Sequence, residues 1–417
     1  MKEFSKDIQE FMTKNYPGVN LDNMSLEELK QFKEEVIQKR QEYALLENAQ
    51  KVLANAAYGS SASNVFYFFN VNLAADITGE CRELTKSMWH NLENFFHETI
   101  WERKDLWEQF NFALDESKHD WYRKQVVSCY SDTDSVYTTY ENFFKCFTPE
   151  KLALYPTVED KINWILKFNK EFLDKQNNRW CEEIYNPRHG KNVHEFELET
   201  VCESQIILKK KKYLKGLRYN KGKFLDKPKM SGTGIEIIKS TTPKLCREIL
   251  TELTRILMFE FTEDNRDEFI MMFNQRLAEY RKQFYNAPIE DISQSVGIGA
   301  YKKYIIEDEE NLILGRQCPV SVHAIGRFNH LAHKNGEDSK RTYSGKIKYY
   351  NIIVGRDGKN PLIGYFGFPA GELPSWAPPM HKQTQWKKNV IDQINRFLEV
   401  MNIPLASESS VIQLDLF

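Results

Sequence analysis

Asp132 and Asp134 stand one residue apart in Val126-Val127-Ser128-Cys129-Tyr130-Ser131-Asp132-Thr133-Asp134-Ser135-Val136-Tyr137-Thr138-Thr139-Tyr140, between two β-prone runs. That pattern predicts a hairpin with an acidic turn. Asp disfavours strand interiors, so two of them in an apolar hairpin need a reason. One reason is turn chemistry, because Asp caps tight turns through its own side chain. The other is metal binding. Carboxylate oxygens suit Mg²⁺, which takes one or two of them together with substrate phosphates. The stretch alone leaves both open.

Three further groups could do chemistry. In Gln50-Lys51-Val52-Leu53-Ala54-Asn55-Ala56-Ala57-Tyr58-Gly59, the residues Lys51, Asn55 and Tyr58 fall at i, i+4 and i+7 and share a helix face. A cation, an amide and a phenol facing one way suit a phosphate, a sugar or base edge, and an aromatic contact. A surface stripe on a helix stopped by Gly59 is the simpler account. Between Lys209 and Lys229 there are ten Lys or Arg residues against one acid, Asp226. This run opens with Lys209-Lys210-Lys211-Lys212-Tyr213 and is interleaved with Leu214, Leu217, Tyr219 and Phe224. It reads as a structured basic surface, for which phosphate is the natural ligand. Glu197 and Glu199 alternate on one face of a predicted strand over 193–199, where a structural role is the simpler reading.

Several elements must position these groups. A capping box, Ser25-Leu26-Glu27-Glu28, opens a helix in which Leu29, Phe32, Val36 and Ile37 recur at helical spacing. No Pro or Gly interrupts it before Gly59, so it spans about thirty residues and suggests a projecting helical hairpin. A polar helix precedes it, from Met1 to about Asn20. Residues 64–101, 150–186, 243–285 and 384–401 are expected to be mainly helical. Strands are expected at 126–140, 193–199 and 204–208, and strands mixed with loops at 310–370.

Composition sets outer limits. A chain of 417 residues, 41% hydrophobic and 28% charged, can build two or three cores and is not disordered as a whole. A net charge of −2 beside the basic run implies segregated charge, a basic groove on an acidic body. No apolar run is long enough for a membrane helix and no secretory signal opens the chain, so no membrane partner is expected. The seven cysteines are scattered without Cys-x-x-Cys spacing and are expected to be reduced thiols of a cytoplasmic protein.

Order and spacing then carry a resemblance. Lys51 to Gly59 resembles the fingers motif Lys-x-x-x-Asn-Ser-x-Tyr-Gly of family B DNA polymerases. Tyr130-Ser131-Asp132-Thr133-Asp134-Ser135 resembles their palm motif Tyr-Gly-Asp-Thr-Asp-Ser. Lys210-Lys211-Lys212-Tyr213 resembles the Lys-Lys-Arg-Tyr motif that senses duplex, and Gly234 to Pro243 the passage into the thumb. The similarity runs from about residue 25 to the end and is nearest the replicative polymerases of large tailed phages. Ala56, Ser131 and Lys212 depart from the motifs without removing a catalytic charge. The larger departure is the Asp-x-x-Ser-Leu-Tyr-Pro carboxylate expected before the fingers. Nothing before Lys51 supplies it. Glu150-Lys151-Leu152-Ala153-Leu154-Tyr155-Pro156 has the spacing but stands after the hairpin, and is rejected.

The resemblance implies an α+β, right-hand polymerase fold: an antiparallel palm sheet with helices, a helical fingers hairpin and a largely helical thumb. Residues 1–58 would be the C-terminal part of the fingers, 59–243 the palm, 244–405 the thumb, and 406–417 a flexible tail. It implies nucleotidyl transfer to a primer end with two Mg²⁺ ions, Mn²⁺ being an acceptable substitute. Asp134 and Asp132 would be the catalytic metal ligands. Lys51, Asn55 and Tyr58 would meet the deoxynucleoside triphosphate. Lys210, Lys211, Lys212, Tyr213 and Gly59 would meet primer–template DNA, and Glu197 and Glu199 would support the metals from behind. The missing carboxylate implies the C-terminal half of such an enzyme, either with an N-terminal polymerase/exonuclease polypeptide as partner, as in phages that encode this enzyme in two pieces, or as a fragment of a longer chain. The apolar end Gln413-Leu414-Asp415-Leu416-Phe417, on a polar tail, resembles a sliding-clamp hook. The competing expectation is a non-catalytic DNA- and clamp-binding subunit. A right-hand RNA polymerase is disfavoured by the fingers and Lys-Lys-x-Tyr motifs.

Overall fold

The computed structural model describes residues 16, 17, 19, 24–191, 194–307, 312–314, 317–371 and 373–407. The expected N-terminal helix lies almost wholly outside the described residues, and Val193 and the tail from Gln413 to Phe417 lie outside them too. The chain is α+β with small antiparallel sheets. It divides into two compact units. One holds the residues up to His90 together with Thr133–Val136, the other Asn91–Asp132 and the chain from Tyr137 onward.

The first unit is built on two helices. Helix α1, Leu26–Ala62, starts at the expected capping box, with the Ser25 N–H donating to Glu28 Oε2 at 2.7 Å and the Glu28 N–H to Ser25 Oγ at 3.3 Å. Those bonds from Ser25 hold the Glu28 carboxyl below its usual range. Gly59 does not stop the helix, contrary to expectation. A lone glycine costs only about 1 kcal/mol in a helix, and the last turn is supported by hydroxyls. Ser60 Oγ donates to the Ala57 carbonyl at 2.8 Å and Ser61 Oγ to the Tyr58 carbonyl at 2.7 Å. Helix α2, Val71–Asn94, begins where Asn70 Oδ1 accepts from the Leu73 N–H at 3.1 Å.

The second unit carries the cores. Strands β1, Ser128–Asp132, and β2, Ser135–Thr138, form the expected hairpin, of which Thr133–Val136 belong to the first unit. An aromatic core surrounds helix α3, Val158–Phe168, where Trp164 stacks on Phe168 at 4.9 Å and donates its indole N–H to the Phe110 carbonyl at 2.8 Å. Helix α4, Asp174–His189, follows a π-helical turn at Asn169–Leu173. A meander then forms the central sheet: β3, Thr200–Lys209, β4, Lys212–Asn220, and β5, Lys223–Thr233, with β4 in the middle.

Residues 194–199 are not a strand, against expectation. Thr200 pairs with Asn220, the last residue of β4, so no partner strand extends beyond it. The Phe196 N–H is met instead by Asn178 Oδ1 at 2.9 Å.

Ile206 and Leu214 of this sheet are buried with Leu250, Leu253 and Leu257 of helix α5, Lys244–Phe259, and Phe273 of helix α6, Arg266–Asn286. Residues 243–285 are mainly helical, as expected, but in two helices rather than one run. Between the two, Asn265 bridges the Thr262 N–H (2.9 Å) and the Glu260 carbonyl (2.8 Å). A second sheet, with β7, Gly345–Asp357, between β6, Gln294–Ile298, and β8, Asn360–Pro369, packs on helix α7, Val320–Lys334, through Ile325, Phe328, Tyr350 and Phe366. The last helix, α8, Asp392–Val400, returns Ile394 and Leu398 to the core under β3.

Candidate active site

The acidic hairpin turns over two residues, Thr133 and Asp134. Thr133 takes φ 49°, a left-handed conformation that a β-branched side chain rarely adopts. Such backbone persists where the surroundings over-determine it, often at functional sites. Within the first unit the buried Thr85 hydroxyl lies 3.0 Å from the Thr133 carbonyl, sharing its proton with the Cys81 carbonyl at 2.8 Å. Asp134 is exposed at this tip.

Within the second unit, three phenols bind the hairpin to the central sheet. Tyr130, Tyr137 and Tyr213 have ring centroids 5.3 Å (Tyr130–Tyr137), 5.4 Å (Tyr130–Tyr213) and 5.9 Å (Tyr137–Tyr213) apart. The Tyr137 hydroxyl donates to that of Tyr213 at 3.3 Å, and the Lys215 ammonium lies 5.1 Å from the Tyr137 ring and 5.5 Å from that of Tyr213. Burial pushes the Tyr137 phenol well above its usual range. Tyr213 was expected to touch duplex DNA. It is 8% exposed and packs against the hairpin.

The lysine run is a turn, not a strand. Lys209 pairs with Lys212, so Lys210 and Lys211 form the tight connection from β3 to β4. Lys211 takes φ 58°, and its N–H donates to the Tyr130 hydroxyl at 2.8 Å. Its ammonium is 3.7 Å from Asp132 Oδ1, with side-chain exposures of 61% and 22%. An ion pair this long and this open adds at most about 1 kcal/mol to stability. What it does is set a positive charge beside the half-buried carboxylate.

The same end of the sheet is crowded with cations. Lys209 and Lys212 are directly opposed across the ladder, an arrangement that is unfavourable without an anion. Partial desolvation, followed by Lys239, Lys209 and Arg396, draws the Lys212 ammonium below its usual range. Two cations of the run are used up elsewhere. Arg218 is buried against Glu203 at 2.8 Å, and Lys221 pairs with Glu199 at 3.0 Å.

Glu199 is therefore not beside the Lys211 turn. Glu199 meets Lys221 at the opposite end of β4, roughly 30 Å away at about 3.3 Å per residue. Glu197 instead stands near Asp174. Burial, with Glu197 and Glu195 adding to it against a bond from the Leu198 N–H, raises the Asp174 carboxyl to about 6.

Lys51, Asn55, Tyr58 and Gly59 are exposed on α1, where Lys51 pairs with Glu47 at 2.7 Å. They belong to the first unit. Sequence reasoning missed the parts of Tyr130, Tyr137 and Thr85. The alternation of Tyr130 and Tyr137 about the Asp pair could have flagged the two phenols, whereas Thr85 carries no sequence signal. Among the described residues no group of three or more His, Cys, Asp or Glu could hold a metal ion. The donors present, the carboxylates of Asp132 and Asp134 with Asp134 open to solvent, are hard oxygens of the kind Mg²⁺ takes alongside phosphate and water.

No curated protein matches the chain. Residues 20–153, which contain the Lys51–Gly59 helix face and the acidic hairpin, match the model of DNA polymerase family B, and over that stretch the chain is similar to family B DNA polymerases.

Proposed function

We propose that the chain is the C-terminal part of a template-directed DNA polymerase of phage replicative type. It would add deoxynucleotides to a primer end together with a polypeptide that carries the other metal-binding carboxylate. The observation that carries this reading is the Asp132–Thr133-Asp134 turn inside the family match, with Lys211 at 3.7 Å from Asp132.

Asp134 and Asp132 would hold two divalent ions, Mg²⁺ or Mn²⁺, which when bound supply a clamp on the attacking and leaving oxygens. Lys211 would reach the primer end and balance the charge of Asp132. Lys210 and Lys212 would hold backbone phosphates of the primer–template, where each neutralised phosphate releases counterions. Lys51 and Asn55 would orient the triphosphate, with Tyr58 against the nascent base pair and Gly59 leaving room for DNA. Tyr213 would act on DNA only through the hairpin it packs. Residues 1–58, 59–243 and 244–405 would be fingers, palm and thumb of a right-hand arrangement, and Gln413, Leu414, Asp415, Leu416 and Phe417 would hook a sliding clamp. The site of action would be the host cytoplasm.

Primer extension tests the proposal. The chain mixed with an N-terminal polypeptide bearing Asp-x-x-Ser-Leu-Tyr-Pro should extend a primer. A mixture that binds primer–template yet never extends it would instead mark a non-catalytic DNA- and clamp-binding subunit.

A further inference from the structure

Lys211 is held on both sides of its backbone. Its N–H is taken by the Tyr130 hydroxyl at 2.8 Å. On its carbonyl side lies Gly234, whose own φ is 65°. A Cβ at Gly234 would collide with the Lys211 carbonyl oxygen and stand 3.2 Å from the Lys212 Cγ. A backbone oxygen cannot swing aside as the end of a side chain can. Gly234 comes to this place through the register: Tyr213 pairs with Thr233, so the next residue of the chain meets the turn that precedes Tyr213.

Gly222, at the β4–β5 turn of the same sheet, makes the contrast. Its φ is 82°, yet nothing lies within 4 Å of where its Cβ would be. There glycine is needed for φ alone. At Gly234 it is needed for φ and for close approach.

We infer that Gly234 and Tyr130 form a seat for the Lys211 peptide. Gly234 is a positioning residue that lets the chain after β5 close on the turn, and so sets where the Lys211 ammonium meets a primer-terminal phosphate. The inference rests on the reading that this chain binds primer–template DNA. The ammonium is already 3.7 Å from Asp132, near the limit of an ion pair, so a turn pushed outward carries it out of range.

The test is equilibrium binding of a labelled primer–template to the full chain, followed by anisotropy across a salt series. Gly234→Ala should weaken binding about tenfold and lower the salt slope by about one ion. Gly222→Ala, which also puts a side chain at positive φ, should bind as the wild type does. In a Lys211→Ala background, Gly234→Ala should cost nothing more, because the residue it positions is gone. In the free protein, amide exchange at Lys211 should quicken in Gly234→Ala and in Tyr130→Phe. Wild-type affinity and slope in Gly234→Ala would overturn the inference, as would an undiminished further loss in the Lys211→Ala background. If the wild-type chain bound no primer–template, the proposed function would fall. The seat itself would fall separately if the Lys211 amide stayed fully protected in Gly234→Ala.

Discussion

Lys209 and Lys212 face each other directly across the β3–β4 ladder, next to the turn that carries Lys210 and Lys211. Like charges so placed cost stability, and a polyanion relieves the cost. Lys209→Gln should therefore stabilise the free protein by about 0.5 kcal/mol while weakening its binding to primer–template. Thermal melting and a binding titration on the same variant check the two signs. A variant that lost stability and kept its affinity would make this end of the sheet an ordinary solvated face.

Neutralising Lys211 and Lys212 together should reduce affinity for primer–template and lower the salt slope by about two ions, at roughly 0.9 for each phosphate that is no longer neutralised. An unchanged slope would remove both residues from the DNA interface.

The Tyr130, Tyr137 and Tyr213 cluster gives a stability prediction. Tyr213→Ala should cost about 3–5 kcal/mol by opening a cavity between hairpin and sheet. Tyr213→Phe should cost only about 1–2 kcal/mol, since it removes the hydroxyl's hydrogen bonds and keeps the ring. Chemical denaturation of the two variants measures this. Equal losses would mean that the hydroxyl, not the ring, holds the hairpin.

How much of this was legible in the sequence depends on what each residue signals locally. The hairpin around Asp132 and Asp134 was readable because β-branched and aromatic residues flank an acidic pair, and the start of α1 because Ser25 and Glu28 make a capping box. The turn at Lys210 and Lys211 was not. A lysine run carries none of the Gly, Asn or Asp signals of tight turns, and the left-handed Lys211 is held by Tyr130, distant in sequence. The failed strand over 193–199 had the right alternation, but strand formation needs a partner, and β4 ends opposite Thr200. Without that strand the alternation no longer puts Glu197 and Glu199 on one strand face, and Glu199 pairs with Lys221 instead.

Asp174 predicts a pH dependence. Its carboxyl is raised to about 6 in the folded chain, mainly by burial, so the native state binds the proton more tightly than the unfolded state does. Its contribution is thus fully present below the unfolded value of about 4 and is lost as pH rises through about 6. Asp174→Asn should flatten stability between those limits and raise it at pH 7 by on the order of 1–2 kcal/mol. Melting curves from pH 4 to 8 decide it. A wild-type profile that rises across this window would reverse the sign.

Asp134 tests the central claim most directly. The chain, combined with a polypeptide carrying the Asp-x-x-Ser-Leu-Tyr-Pro carboxylate, should extend a primer in the presence of Mg²⁺. Asp134→Ala should lower that turnover by at least about a thousandfold while leaving primer–template affinity within about twofold, because the residue removed binds metal and not phosphate. Near-normal extension by Asp134→Ala would contradict the account and leave the acidic hairpin as turn chemistry.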